Sequence, residues 1–227
     1  AALGWRATLA LPAPVAIAAA LAAARHRRQQ KESRPAAARR GRAAAAKGTW
    51  LLTIGFTGHT VSYYACSAWL PTYFHGVTGF DSGSAAAAAT LFQLTAIAGP
   101  LIAGFLGSGP GLRLRLVALV TGAAWISLPL GLLLAPAGWP AWVALAGLAQ
   151  GAAYTVVMAL AIRNAAGEEE LTTASSRIQA VAYTAAALGP VMVGALLDLT
   201  RGWGLAFAAV AALLGIMTAC LWLASGM

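Results

Sequence analysis

Residues 99–104 read Gly-Pro-Leu-Ile-Ala-Gly, and residues 189–194 read Gly-Pro-Val-Met-Val-Gly. Each hexapeptide lies inside a continuous apolar run, at about 84–106 and 171–196. Further apolar runs extend outward from these two, at about 7–24, 50–69, 114–135, 141–162 and 203–224. A helix needs about 20 apolar residues to cross the hydrocarbon core, and all seven runs reach that range. Lipid leaves no partner for a free backbone amide, so each run is expected to be a helix. Breakers separate them. Pro71 and Gly76 are expected to end the second run, and Gly107 to Gly111, with Pro110, the third. Pro136, Gly138 and Pro140 part the fourth from the fifth, and Gly167 with three glutamates parts the fifth from the sixth. The expected fold class is an all-α membrane protein with seven transmembrane helices.

The two hexapeptides stand three spans apart and therefore run in opposite directions, as in an inverted three-plus-three repeat. A second echo is parallel. Gly4-Trp5 precedes the first run and Gly202-Trp203 the last, with five spans between. Nested repeats of this kind characterise secondary transporters. The plainer reading is that Gly and Pro are common in membrane helices; two echoes in register, around a long basic connection, weigh against it.

Composition agrees. The chain has 227 residues, 60% hydrophobic and 9% charged, with a mean hydropathy of +0.74. Soluble domains carry about 25% charged residues, so an ordinary globular enzyme, a disordered chain and a small disulfide scaffold are excluded. The net charge of +9 is local. Between Arg25 and Lys47 lie seven Arg and two Lys against Glu32. With that connection in the cytoplasm, Arg113, Arg115, Arg163 and Arg177 fall on the same side. Only Arg6 and Arg201 fall opposite, which by the positive-inside rule also puts the C-terminus in the cytoplasm. The basic stretch reads as a topological anchor or an anionic-lipid contact. Flanking spans and the lack of interleaved aromatics disfavour nucleic acid. The first run holds Pro12 and Pro14 and is followed by basic residues, which speaks against a secretory signal. The chain opens Ala-Ala-Leu-Gly and is expected to be part of a longer protein.

The run Tyr63-Tyr64-Ala65, then Trp69-Leu70-Pro71-Thr72-Tyr73 and Gly76, carries a resemblance. So do Phe92-Gln93-Leu94 with Gly99-Pro100, and the series Ser175, Gln179, Val181, Tyr183, Gly189-Pro190, Gly194, Asp198 and Gly202-Trp203. The sequence resembles the C-terminal half of a major facilitator superfamily transporter, and within it the cyanate/nitroimidazole (CynX/NimT-type) branch. The resemblance implies that residues 1–24 correspond to helix 6, residues 25–49 to the basic cytoplasmic central loop, and residues 50–227 to the six-helix bundle of helices 7–12. It departs at His59-Thr60, where a Gln-Ser pair is expected, at Arg177, where an uncharged residue is expected, and at Ser108, where the loop motif has Asp. It implies a bacterial inner-membrane protein, monomeric when full length, whose partners are a small solute, the bilayer and an N-terminal half outside this chain.

At about 1.5 Å per residue, His59, Gln93, Gln150 and Gln179 all lie roughly 12–15 Å deep, near the middle of a ~30 Å core. Polar groups at that depth are costly unless they face the interior or water. Four of them on four helices suggest one polar cavity, whose amides both donate and accept. The alternative is that each glutamine bonds between helices and that His59 is a core histidine. Tyr63 lies one turn from His59, Tyr154 one turn from Gln150, and Tyr183 one turn from Gln179. Each offers a flat wall with a hydroxyl, or plain packing. Arg177 either snorkels to headgroups or attracts an anion at the inner mouth. These eight form the candidate substrate set. Gly99, Pro100, Gly189 and Pro190 are the candidate hinges of alternating access, or packing kinks.

No organic catalysis, metal or cofactor is expected. The two lysines, Lys31 and Lys47, lie in the basic connection, so none is placed to form a buried Schiff base. No His-Glu-x-x-His pair or phosphate-cradling loop occurs. Two functional classes remain: a transporter of a small polar or anionic solute, and a non-transporting seven-helix receptor or assembly subunit.

Overall fold

A computed structural model describes residues 41–107 and 111–226. The expected first span at 7–24, the Gly4-Trp5 echo and most of the basic connection lie outside the described residues. Eight α-helices follow in order: α1 Gly41–Thr78, α2 Ser82–Ala96, α3 Gly99–Gly107, α4 Gly111–Leu134, α5 Trp139–Asn164, α6 Glu168–Ala186, α7 Leu188–Thr200 and α8 Trp203–Ser225. A single 3-10 turn, Pro136–Gly138, joins α4 to α5.

Five helical stretches among the described residues are long and apolar enough to cross a membrane: Ser82–Gly107, Arg113–Leu134, Pro136–Asn164, Glu168–Thr200 and Trp203–Ser225. The expected second span is α1. At 38 residues it has the length, but Thr53, Thr57, His59, Thr60 and Ser62 reduce its apolarity. It can carry them because it is wrapped, packing against α8, α6, α7, α2 and α5. Its hydroxyls turn back onto the helix: Thr53 donates to the Thr49 carbonyl at 2.7 Å and Thr57 to that of Thr53 at 2.8 Å.

α1 departs from the sequence reading at its far end. It begins at Gly41, within the basic stretch. It also runs through Pro71 and Gly76, which were expected to end it, and stops at Thr78. Proline removes one amide donor, but the rest of the wrapped helix holds its course. The stop is Gly79, whose φ of +72° lies in the left-handed region open to glycine. There Phe80 N–H reaches the Phe74 carbonyl, and His75 Nδ1 bonds the Phe80 carbonyl at 2.7 Å. Asp81 then caps α2, accepting from Gly83 N at 2.9 Å and Ser84 N at 3.1 Å.

The two Gly-Pro runs each break in two. α2 and α3 part at Ile97–Ala98, and α6 and α7 part at Ala187. The missing N–H of Pro100 leaves the Ala96 carbonyl without its helical donor. Ile97 N and Ala98 N turn back to the Leu94 and Thr95 carbonyls in tighter bonds of 3.3 and 3.2 Å.

Each break rests on another helix at a glycine. A Cβ on Gly99 would stand 2.1 Å from the Leu148 carbonyl oxygen and 2.7 Å from the Ala152 nitrogen of α5. A Cβ on Gly189 would stand 2.1 Å from the Val61 carbonyl oxygen and 3.1 Å from the Ala65 nitrogen of α1. The same crossing is thus made twice, each broken helix lying on the long helix of the other three-span unit. α5 answers with its own small residues, since a Cβ on Gly147 or Gly151 would strike the Phe92 or Ala96 carbonyl at 2.4 or 2.1 Å. Backbones meet this closely where side chains are absent.

The two ends of the bundle differ in chemistry. At one, Tyr73, Phe74, Phe80, Trp139, Trp203 and Phe207 form a ring cluster, with Tyr73–Trp203 centroids 5.2 Å apart and Phe74–Trp139 5.1 Å apart. At the other, Arg163 donates to the Ser225 carbonyl, Asn164 donates to Ala224 at 3.2 Å, and Arg115 lies 3.8 Å over the Trp222 ring.

Candidate functional site

The turns of α1 set out one stripe of side chains, Phe56, His59, Tyr63 and Ser67, at spacings of three and four residues. Phe56 is fully buried and stands where three helices meet. His59 of α1 stacks on it at 5.3 Å with planes 12° apart. Tyr154 of α5 and Tyr183 of α6 each approach to 5.8 Å, Tyr183 edge-on. One turn further, Tyr63 lies 5.0 Å from Tyr64 and 6.2 Å from Phe92 of α2. Gln93 of α2 donates to the Ser67 hydroxyl at 3.1 Å and meets the Tyr63 hydroxyl at 3.3 Å. Aromatic pairs at these separations gain about 0.5–1.5 kcal/mol beyond their buried area, so the cluster ties four helices together over two turns of α1.

The surface it presents is open. Tyr64, Tyr154 and Tyr183 are each 40–48% exposed, and Gln93 is exposed as well. Gln150 and Gln179 are half-buried, one turn from Tyr154 and Tyr183, and neither amide has a hydrogen-bond partner among the described residues. Amides without protein partners can donate to and accept from a solute.

Two members of the expected set lie off this surface. His59 is only 5% exposed, held between Phe56 in front and Trp125 of α4 behind, whose ring centroid is 4.6 Å away. Its Nδ1 is sealed without a partner, as are Ser62 Oγ and Trp125 Nε1. Arg177 is exposed and lies 5.8 Å over the Trp50 ring, toward the basic end of the bundle. Charged side chains among the described residues otherwise lie at the bundle ends, so the ring-and-amide surface is uncharged. Gly99 and Gly189 sit at the helix crossings described above, and Pro100 and Pro190 directly after them. The Pro190 carbonyl accepts from Trp69 Nε1 at 2.9 Å.

The sequence reading passed over Phe56, Ser67 and Trp125. The first two share the stripe of His59 and Tyr63 and were legible from it. Trp125 comes from another helix and had no such signal. Among the described residues no cluster of His, Cys, Asp or Glu is arranged to hold a metal ion.

The geometry can be set beside known proteins. Residues 1–165 match the Major Facilitator Superfamily family. An uncharacterized transporter, YycB of Bacillus subtilis (strain 168), is 25% identical over 177 residues, which is 77% of this chain and 44% of that protein. A crystal structure of a mutant peptide transporter POT with alafosfalin superposes with a TM-score of 0.67 at 17% identity, over 81% of this chain and 41% of that one. The Escherichia coli fucose:proton symporter FucP gives 0.63 at 17% identity, over 78% and 42%. The chain therefore spans less than half the length of these relatives. The family match covers most of the chain, five helical stretches among the described residues are long and apolar enough to cross a membrane, and this chain belongs to the major facilitator superfamily.

Proposed function

We propose that this chain is the C-terminal half of a secondary transporter that moves a small polar or anionic solute, cyanate-like or nitroimidazole-like, by alternating access. In this reading residues 7–24 and α1 also span, giving seven transmembrane helices in a bacterial inner membrane. The basic connection and the C-terminus are cytoplasmic. An N-terminal half of the same protein closes the other wall of the cavity, and the complete protein works as a monomer.

One observation carries the reading. Tyr154 of α5 and Tyr183 of α6 meet Phe56 of α1, Tyr63 meets Gln93 of α2, Gln150 and Gln179 lie one turn from Tyr154 and Tyr183, and Tyr64, Gln93, Tyr154 and Tyr183 are exposed among the described residues. Polar groups at mid-membrane face a water-filled path or a partner, and phenol rings with free amides suit a small planar solute leaving water. The amides replace its hydration, the rings flank its faces, and solute charge is answered by the other half. The Gly-Pro breaks beside Gly99 and Gly189 let α3 and α7 tilt while the glycine crossings stay in register. Arg177 sits at the inner mouth, where a fixed positive charge raises the local concentration of an anion.

The test is uptake of labelled cyanate and of a nitroimidazole into proteoliposomes of the full-length protein. Gln150→Ala and Gln179→Ala are expected to reduce uptake about tenfold each, the loss of one hydrogen bond of about 1.5 kcal/mol. Gln29→Ala and Gln30→Ala are expected to leave it unchanged. Equal, negligible effects at all four sites, with matched expression, reject the assignment.

A further inference from the structure

On the far side of α5 from the tyrosines lies a second concavity, of about 740 Å³, walled by α3, α4 and α5. Ile102, Leu116, Val120, Leu145 and Leu148 line it, and Val120 is 67% and Ile102 48% exposed. The volume is that of a ligand site, commonly about 300–1,000 Å³. The lining is apolar apart from Thr121 and one charged residue, Arg113, in the first turn of α4. α5 divides its faces between the two sites. Leu145, Leu148, Ala149 and Ala152 face this groove, while Tyr154 faces the ring cluster.

Arg113 differs from its neighbours. Of Arg113, Arg115, Arg163 and Arg177, which stand toward this end of the bundle, three are engaged: Arg115 on Trp222, Arg163 on the Ser225 carbonyl and Arg177 over Trp50. Arg113 is exposed and has no partner among the described residues. An apolar trough that ends at an unpaired guanidinium has the chemistry of a phospholipid, with its acyl chain below and its phosphate at the rim. Arginine binds phosphate through paired N–H groups, and basic pockets between transmembrane helices on the cytoplasmic side take anionic headgroups. The basic connection of this chain is a poor occupant, since its excess of eight positive charges would be set against Arg113.

We infer that the groove between α3, α4 and α5 is a binding site for an anionic phospholipid, with an acyl chain along Ile102, Val120 and Leu148 and the headgroup phosphate on Arg113. The bound lipid would brace the α3 segment, which is otherwise joined to α2 only through the break at Ile97–Ala98.

The test is native mass spectrometry of the detergent-purified full-length protein with added phosphatidylglycerol or phosphatidylcholine. Preferential retention of phosphatidylglycerol is expected. Arg113→Gln should lower that retention about fivefold, the effect of one basic residue at the lipid surface. Val120→Trp, which fills the trough from an exposed position, should lower retention of both lipids. Asp198→Asn, at the opposite end, should change nothing. Equal retention of the two lipids, or unchanged retention in both groove variants, overturns the inference. A disulfide between cysteines introduced at Val120 and within residues 7–24 also overturns it, assigning the groove to the chain's own first apolar run.

Discussion

At the residue scale, Phe56 explains why the candidate site is a surface of rings rather than a row of separate polar groups. His59 and Phe56 lie one turn apart on α1, but the neighbouring helices give them different roles. α5 and α6 bring tyrosines to Phe56, while α4 brings Trp125 against His59. The imidazole is therefore a wall behind the phenylalanine. His59 Nδ1 and Trp125 Nε1, whose rings are in contact, and Ser62 Oγ are all sealed without a partner; each orphaned group costs about 1–3 kcal/mol. Asp81, outside the membrane spans, gives a prediction of its own. The Ser84 hydroxyl, then the Ser84 and Gly83 amides, hold its carboxyl below the ordinary value of 3.8. A depressed carboxylate contributes stability that is complete above the unfolded value and is lost as pH falls through the lower folded one. Asp81→Ala should lower the Tm of the detergent-solubilised protein at pH 7, and the gap between variant and parent should close in strong acid. A gap that stays constant with pH means the carboxylate is not acting as the cap.

At the element scale, the broken helices are the feature to test. Gly99 and Gly104 belong to the same hexapeptide, yet their surroundings differ. A methyl on Gly99 meets the α5 backbone at 2.1 Å, while one on Gly104 meets nothing within 4 Å. Gly99→Ala and Gly189→Ala are each expected to destabilise by about 1–3 kcal/mol through overpacking. Gly104→Ala should be neutral or slightly stabilising, because alanine is the better helix former. Thermal unfolding in detergent measures all three, and similar shifts at the three positions would show that the crossings are not the tight contacts they form here. The Gly-Pro echo was legible in the sequence. What each glycine touches was not, because the touching atoms are backbone carbonyls of helices about 50 and 130 residues away along the chain. Pro71 shows the converse. Local chemistry gives it as a stop, but a helix packed against five others tolerates one lost amide donor.

At the scale of the whole molecule, charge orders the bundle. Among the described residues Lys47, Arg113, Arg115, Arg163 and Arg177 lie toward one end, and Arg201 lies at the other with Asp81 and Asp198. In the proposed orientation, which follows the positive-inside rule, the first end is cytoplasmic. Cys66 and Cys220 are buried, so a single introduced thiol can report its side. Asp198→Cys should react with a membrane-impermeant maleimide in intact cells, and Lys47→Cys only after permeabilisation. The reverse pattern sinks the orientation. Two exposed surfaces among the described residues differ in kind. In the proposed reading the tyrosine–glutamine face receives a partner half and a solute. The α3–α4–α5 groove is apolar with a cationic rim and fits a lipid.

The sequence by itself determined that the described residues form apolar helices, most of them of membrane-crossing length, and where most of them begin and end. Those properties follow from the local run of apolar residues, the positions of Gly and Pro, and the count of basic side chains, each readable without knowing any neighbour. Only the tertiary structure decided that Phe56 is the hub, that His59 is shielded, that α1 passes through Pro71 and that Arg113 stands above an apolar trough with no partner among the described residues. Burial and partnership depend on which helix lies alongside, and that is fixed by backbone approach at a few glycines rather than by any stretch read alone.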